Sequence, residues 1–138
     1  AKQFTPEFSG RIGYTYTHVN AAPGGTSNIN GYIPKHSVVM GLDYVKTKWD
    51  VHLDVRGIID RPGPDSTGTN GAIFPKKTYW ITDVSANYRI NDNIAIFGKV
   101  GNLFNVFYAE QSNVAYGSPG DWWAAPGRNF QAGMEFTF

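Results

Sequence analysis

Acidic and imidazole side chains alternate along one stretch of the chain, where Asp50, His52 and Asp54 are spaced two residues apart. Carboxylates beside an imidazole could act as an acid–base pair or ligate a metal ion. On a β-strand, residues i and i+2 lie about 6 to 7 Å apart, which is too far for most direct hydrogen bonds. We therefore favour a solvated wall whose charges pair with neighbouring strands, and we expect no catalytic residue, cofactor or metal site.

A second candidate site lies in a segment with the composition of a loop, residues 106–128, which also contains Asp121 and Arg128. Exposed aromatic side chains on a loop are unfavourable unless a ligand or another part of the protein covers them. The aromatic residues predicted to bind a ligand are Tyr108, Tyr116, Trp122 and Trp123. The alternative is that the two tryptophans pack against adjacent loops or lie at a membrane interface.

A third candidate is His18, which could contact haem or a metal chelate near the mouth of the protein. The three histidines of the chain have no spacing typical of metal ligands, so an exposed histidine without a special role is the alternative.

The composition excludes several classes of protein. The chain has 138 residues, a formal net charge of +1 and no cysteine, so neither a disulfide framework nor a thiolate metal site can form. A net charge so close to zero gives no basic stripe for nucleic acid. No apolar run approaches the ~20 residues of a membrane helix, and the N-terminus shows no signal peptide. If the protein is exported, we expect a processed chain or a fragment.

Alternating apolar and polar residues predict β-strands, whereas helical periodicity is hard to find. Residues 49–60 are the clearest case, because only Ile58 breaks the alternation there. Six strands are predicted, at residues 8–18, 35–46, 49–60, 77–90, 93–105 and 129–138. The fifth is the least regular, since Phe97 and Leu103 fall on its polar face.

The connections between these strands alternate in length. Thr47-Lys48 and Asn91-Asp92 are tight hairpin turns, whereas residues 19–34, 61–76 and 106–128 are long and rich in Gly, Pro, Asn and Ser. Short turns at one end and long loops at the other are typical of outer-membrane β-barrels, with the turns in the periplasm. A soluble β-sandwich has no reason to sort its loops in this way.

Aromatic residues on the apolar face lie near the two ends of the predicted strands, and aliphatic residues fill the middle. Such an arrangement is typical of two aromatic girdles around a hydrocarbon belt. Near the long-loop end lie Tyr16, Trp80, Phe104 and Phe130; near the short-turn end lie Phe8, Tyr44, Trp49, Tyr88 and Phe136. The sequence therefore predicts an all-β fold, an antiparallel transmembrane β-barrel segment of six strands.

Three motifs then carry a family resemblance: GKVGNLFNVFYAEQ at 98–111, PGRNF at 126–130 and GMEFTF at 133–138. In this order they resemble the closing portion of TonB-dependent outer-membrane receptors. The resemblance implies that residues 1–138 are the C-terminal part of a barrel of about 22 strands around a plugged lumen. It also implies uptake of a scarce nutrient across the bacterial outer membrane. An iron–siderophore complex is the commonest cargo of the family, followed by haem, cobalamin and glycans, and the sequence does not separate them.

Six strands are too few to close a barrel with a filled interior, and an open sheet edge in lipid leaves backbone groups unpaired. We therefore expect the earlier strands and the plug to come from a segment absent from this chain, or from another chain. The other expected partners are the lipid bilayer, a TonB-type energy-coupling protein and the ligand. A passive porin-like channel, a soluble all-β binding module and an outer-membrane enzyme remain the alternatives.

Overall fold

The structure, a computed structural model, describes residues 1–18, 33–61, 78–112 and 122–138. The described chain forms nine strands: β1 Lys2–Gln3, β2 Phe8–Tyr16, β3 His36–Val45, β4 Trp49–Ile59, β5 Tyr79–Asn91, β6 Ile94–Gly101, β7 Ala109–Ser112, β8 Trp122–Ala124 and β9 Asn129–Phe136. Within these residues, no helix is long and apolar enough to cross a membrane.

Seven of the strands form one antiparallel sheet in the order β1-β2-β3-β4-β5-β6-β9, and β7 and β8 form a separate hairpin. The six predicted strands correspond to β2 to β6 and β9, with ends that differ by a few residues. The fifth ends at Gly101 rather than at 105, because Asn102 and Asn105 adopt positive φ and turn the chain off the sheet. Phe104 therefore lies beyond the strand, in this turn.

Three strands were missed by the sequence prediction. Residues 106–128 were expected to be loop throughout, but they contain β7 and β8. Strand β1 is joined to β2 by a short turn, in which Phe8 donates its backbone N–H to the carbonyl of Thr5 (3.2 Å). That turn lies at the same end of the sheet as the predicted hairpin turns, which the structure places at residues 46–48 and 92–93.

The strand register keeps the apolar face continuous from one strand to the next. Met40 pairs with Ile12 on one side and with Val55 on the other, and Leu53 pairs with Val84. Because side chains alternate across a sheet, paired residues share a face. This apolar face is bare: Ile12 and Phe130 are 73% and 72% exposed. Such a surface requires an apolar environment to cover it.

Three glycines lie directly opposite large side chains. Gly57 pairs with Trp80, Gly133 with Phe97, and Gly41 with Arg11. A Cβ atom at Gly57 would lie 2.5 Å from the Trp80 ring, so the absence of a side chain lets the indole lie flat across the neighbouring strand.

Candidate functional site

The polar face of the sheet carries a network of ion pairs at its centre. The guanidinium of Arg11 donates to the carboxylate of Asp43 (3.1 Å) and also to that of Asp54. The three residues lie on neighbouring strands, β2, β3 and β4, because the register places Arg11 opposite Gly41 and Gly41 opposite Asp54. Both carboxylates are thus paired across strands, as expected for a solvated wall.

His52 links Asp43 to one more carboxylate, that of Asp50. Its Nδ1 lies 2.6 Å from Asp43 Oδ1, and its Nε2 lies 2.8 Å from Asp50 Oδ2. Asp50 also accepts a hydrogen bond from Asn87 Nδ2 (2.6 Å). The expectation that residues two apart on a strand are too distant to hydrogen bond was therefore wrong for Asp50 and His52. Both side chains are long enough to lean toward each other along the strand.

The network has the composition of an acid–base site but not the arrangement of a metal site. In the part of the chain that the structure describes, no group of three or more His, Cys, Asp or Glu side chains could hold a metal ion. Each carboxylate of Asp43, Asp50 and Asp54 already accepts a hydrogen bond or an ion pair from the wall itself. The chemistry this arrangement supports is therefore the mutual neutralisation of charges on a polar surface.

A small apolar cluster covers the polar face near the long-loop end. Its buried members are Ile58, Tyr79, Ile81 and Tyr108, with Val106 and Ala125 packed against them. The rings of Tyr79 and Tyr108 lie 4.8 Å apart between centroids. Ile58, which breaks the alternation of its strand, thus faces the covering segment, residues 102–112, which folds back over the polar face.

Two polar contacts also hold the covering segment against the rest of the chain. Arg61 is buried and donates to the backbone carbonyl of Ala109 (2.8 Å), and Arg56 on β4 pairs with Glu110 on β7 (2.8 Å). Burial raises the pKa of the Tyr108 phenol above its ordinary value, so this hydroxyl is neutral at physiological pH.

A cavity of about 370 Å³ opens between this covering segment and the polar wall. Both signs of charge line it. Among the lining residues are Asp54, Arg56, Asp83, Lys99, Tyr108 and Asn129. Within the described residues, Lys99 has no carboxylate partner at ion-pair distance, whereas Arg56 is paired with Glu110.

The candidate ligand-binding residues fall in different places. Tyr108 is 7% exposed and belongs to the buried cluster. Trp122 and Trp123 lie on β8, where they pair with Ser112 and Gln111 of β7. His18 is exposed just beyond β2, and Tyr116 lies outside the described residues. The structure thus brings Tyr108 and β8 to the base of one hairpin. The binding role of all five residues stays a prediction.

Sequence reasoning missed the contacts that hold this region in place. Tyr79, Arg61 and Glu110 were not singled out, because each acts through a tertiary contact between residues 102–112 and a distant part of the chain. The available signal was the run of apolar residues at Ile58 and Ile59, which departs from strand alternation and indicates a covered polar face.

Comparison with known families shows which environment each face of the sheet contacts. Residues 3–103 match the family model of the TonB-dependent receptor-like β-barrel. The chain belongs to this family. Members are receptors and transporters of the bacterial outer membrane and not enzymes, so the apolar face contacts lipid and the polar face lines the barrel lumen. The predicted family, all-β fold and location are thereby confirmed.

Individual relatives agree with the family. The vitamin B12 transporter BtuB of Vibrio vulnificus is 32% identical over 74 residues, 54% of this chain and 11% of that protein. The ferric-catecholate import receptor Fiu of E. coli K12 has a TM-score of 0.71 at 24% identity, over 98% of this chain and 19% of that one. Pseudomonas aeruginosa FpvA, in complex with a pyoverdine and iron, has a TM-score of 0.74 at 17% identity, over 97% and 18%.

A structure described as the copper transporter OprC also has the same fold, with a TM-score of 0.71 at 17% identity, over 99% of this chain and 22% of that one. The chain thus spans about a fifth of the length of these solved structures and about a tenth of the curated relative.

Proposed function

We propose that the chain forms part of an energy-coupled receptor that binds a scarce nutrient at the cell surface and passes it through the barrel lumen. The observation that carries this proposal is the family match over residues 3–103, in a sheet with a bare apolar face and a charged polar face. A soluble binding module would have to cover its apolar face with its own residues.

The rest of the receptor must complete the sheet. Strand β9 pairs only with β6 within the described residues, and the outer half of β2 pairs only with β3. An open edge is unfavourable in lipid because its N–H and C=O groups have no partner there. We therefore propose that further strands and an internal plug accompany residues 1–138, whether from the same gene or from another chain, and that a TonB-type protein supplies the energy.

An iron–siderophore complex is the cargo we propose, with haem as the second candidate. The support comes from the descriptions of solved structures with this fold. They are a ferric-catecholate import receptor (Fiu), a ferripyoverdine receptor of Pseudomonas aeruginosa and a siderophore receptor (PiuA of Acinetobacter baumannii). Vitamin B12 and copper transporters also occur among the relatives, so other cargoes enter the test. The part of this chain that we propose contacts the cargo is the β7–β8 hairpin, which carries Trp122 and Trp123 at the long-loop end.

The test is uptake by cells that express the intact receptor. Radioactive iron is supplied as a ferric catecholate, a ferric hydroxamate or haem, and radiolabelled cobalamin and copper are tested beside it. Uptake of one of these should saturate and should stop when the energy-coupling protein is deleted. Replacing Trp122 and Trp123 together by alanine should weaken binding by at least ~1 kcal/mol. Phe104→Ala, which removes an exposed aromatic ring at the same end, is the matched control and should bind normally.

Folding is scored separately by heat-modifiable mobility on a gel, and all variants should assemble normally. Uptake that rises linearly with concentration and survives loss of energy coupling would instead indicate a passive channel. Unchanged affinity in the folded double variant would remove the two tryptophans from the binding site and assign them to loop packing or to the girdle.

A further inference from the structure

The NLFN motif forms a tight turn immediately after β6. Asn102 and Asn105 have φ angles of 50° and 52°, and Asn105 donates its N–H to the carbonyl of Asn102 (2.8 Å). Asparagine tolerates this left-handed conformation better than most residues with a side chain. Leu103 donates to the carbonyl of Thr82 (2.8 Å), which ties the turn to β5. The chain is thereby directed off the sheet and over the polar wall.

Both polar atoms of the Asn102 side chain form hydrogen bonds. Its Oδ1 accepts from Val106 N–H (2.8 Å), and its Nδ2 donates to the carbonyls of Val106 (2.8 Å) and Pro126 (3.3 Å). Its backbone N–H donates to Asp83 Oδ1 (2.8 Å), and the residue is only 3% exposed. Because the amide both donates and accepts here, neither aspartate nor alanine can replace all of these contacts.

Asn105 connects the two ends of the segment that leaves the sheet. Its Oδ1 accepts from the N–H of Arg128 (2.9 Å), in the PGR motif just before β9. A Cβ atom at Gly127 would lie 2.8 Å from that oxygen, so the glycine leaves room for the contact. NLFN and PGR, 20 or more residues apart in sequence, thus meet through hydrogen bonds at one point.

Beyond this junction the segment is packed against the wall. Ala109 is 2% exposed, the carbonyl of Tyr108 accepts from Ala125 N–H (2.9 Å), and β7 then pairs with β8. We propose that Asn102 and Asn105, with the backbone of Val106, Pro126 and Arg128, form a clamp that positions the β7–β8 hairpin over the lumen wall. Both asparagines are positioning residues in this proposal. The bearing of the clamp on ligand capture rests on the proposed function, but its effect on the hairpin does not.

The chain has no cysteine, so a single engineered one reports on the hairpin without background from residues 1–138. The experiment places Ala109→Cys in the intact receptor in its membrane, with any other cysteines of the receptor replaced, and measures the rate of its reaction with a membrane-impermeant maleimide. With the clamp intact, the introduced thiol should react slowly. Adding Asn102→Ala should raise the rate about tenfold, a change in local opening equivalent to about 1.4 kcal/mol.

Asn105→Gly is the second variant, because glycine keeps the positive φ and removes only the contact with Arg128. It should also raise the rate, by a smaller factor. Asn87→Ala is the matched control, since it removes another asparagine of the polar wall that donates to a carboxylate, and the rate should not change. Heat-modifiable mobility must show a folded barrel in each variant, so that only local release is scored.

Equal labelling rates in the parent, Asn102→Ala and Asn105→Gly would overturn the proposal. If Asn102→Ala does not assemble, Asn105→Gly decides alone, and an unchanged rate in that variant overturns the clamp. No ligand is needed for the measurement. If the hairpin is released in a receptor that takes up none of the tested iron complexes, the result supports the clamp and rejects the proposed cargo.

Discussion

The assignment of the two faces is tested most directly by the neighbouring residues Val84 and Ser85, near the middle of β5. Val84 pairs with Leu53 and Val100 on the apolar face, whereas Ser85 pairs with His52 and Lys99 on the polar face. Arginine at each position adds the same side chain at the same depth. Only the environment differs, so the pair forms a matched comparison.

Val84→Arg should cost about 2 to 4 kcal/mol, because the guanidinium would face lipid near the bilayer midplane. Ser85→Arg places the same group in the lumen beside Lys99, where a like-charge neighbour across strands costs less than about 1 kcal/mol. The difference of about 2 kcal/mol corresponds to roughly 30-fold in the folding equilibrium.

Urea titration of the intact receptor in lipid vesicles, followed by tryptophan fluorescence, measures both variants, and heat-modifiable mobility shows which molecules have inserted. Equal losses at Val84 and Ser85, or a larger loss at Ser85, would show that the two faces are assigned the wrong way round or that the sheet does not face lipid.

Two further predictions concern orientation and packing. A cysteine at residue 68 on intact cells should react with an impermeant thiol reagent while one at residue 92 should not, because we expect the long connections to face outside and the short turns to face the periplasm. The reverse pattern would invert the orientation. Gly57→Val should destabilise the receptor by about 1 to 3 kcal/mol, since its Cβ would meet the Trp80 ring at 2.5 Å. Gly98→Val on the same face, where the nearest atom to a Cβ is 4.0 Å away, should cost less in the same urea titration.

The strands of the main sheet could be predicted because membrane strands are long and their alternation repeats. In β4, Val51, Leu53 and Val55 fall on one face, and the observed register continues that face into β3 and β5. Each of the six predicted strands thus supplies its own evidence, and the errors in these six were confined to their ends. The two residues of β1 are too few to show an alternating pattern. At Asn102 the alternation could not show where β6 ends, because the turn depends on side-chain hydrogen bonds to Val106 and Pro126.

The hairpin of β7 and β8 could not be predicted by the same means. Its strands span four and three residues, which is too short for a periodic pattern, and Gly and Pro residues flank them. Its position depends on Tyr79 and Arg61, which contact it from distant parts of the chain. The pairing of His52 with Asp50 was missed for a related reason, because strand spacing describes Cα positions and not the reach of side chains.

The buried cluster shows how an apolar side chain on the polar face is shielded from water by another part of the chain. Ile58 and Ile81 face the lumen and yet are buried, because residues 102–112 cover them. Val39, Val45 and Phe97 lie on the same face but remain exposed in the described chain. Leaving apolar groups of this size bare in a water-filled lumen is unfavourable. The same reasoning that explains Ile58 therefore favours a covering element over these three residues, which is the position that the proposed plug would occupy and that an open porin would leave empty.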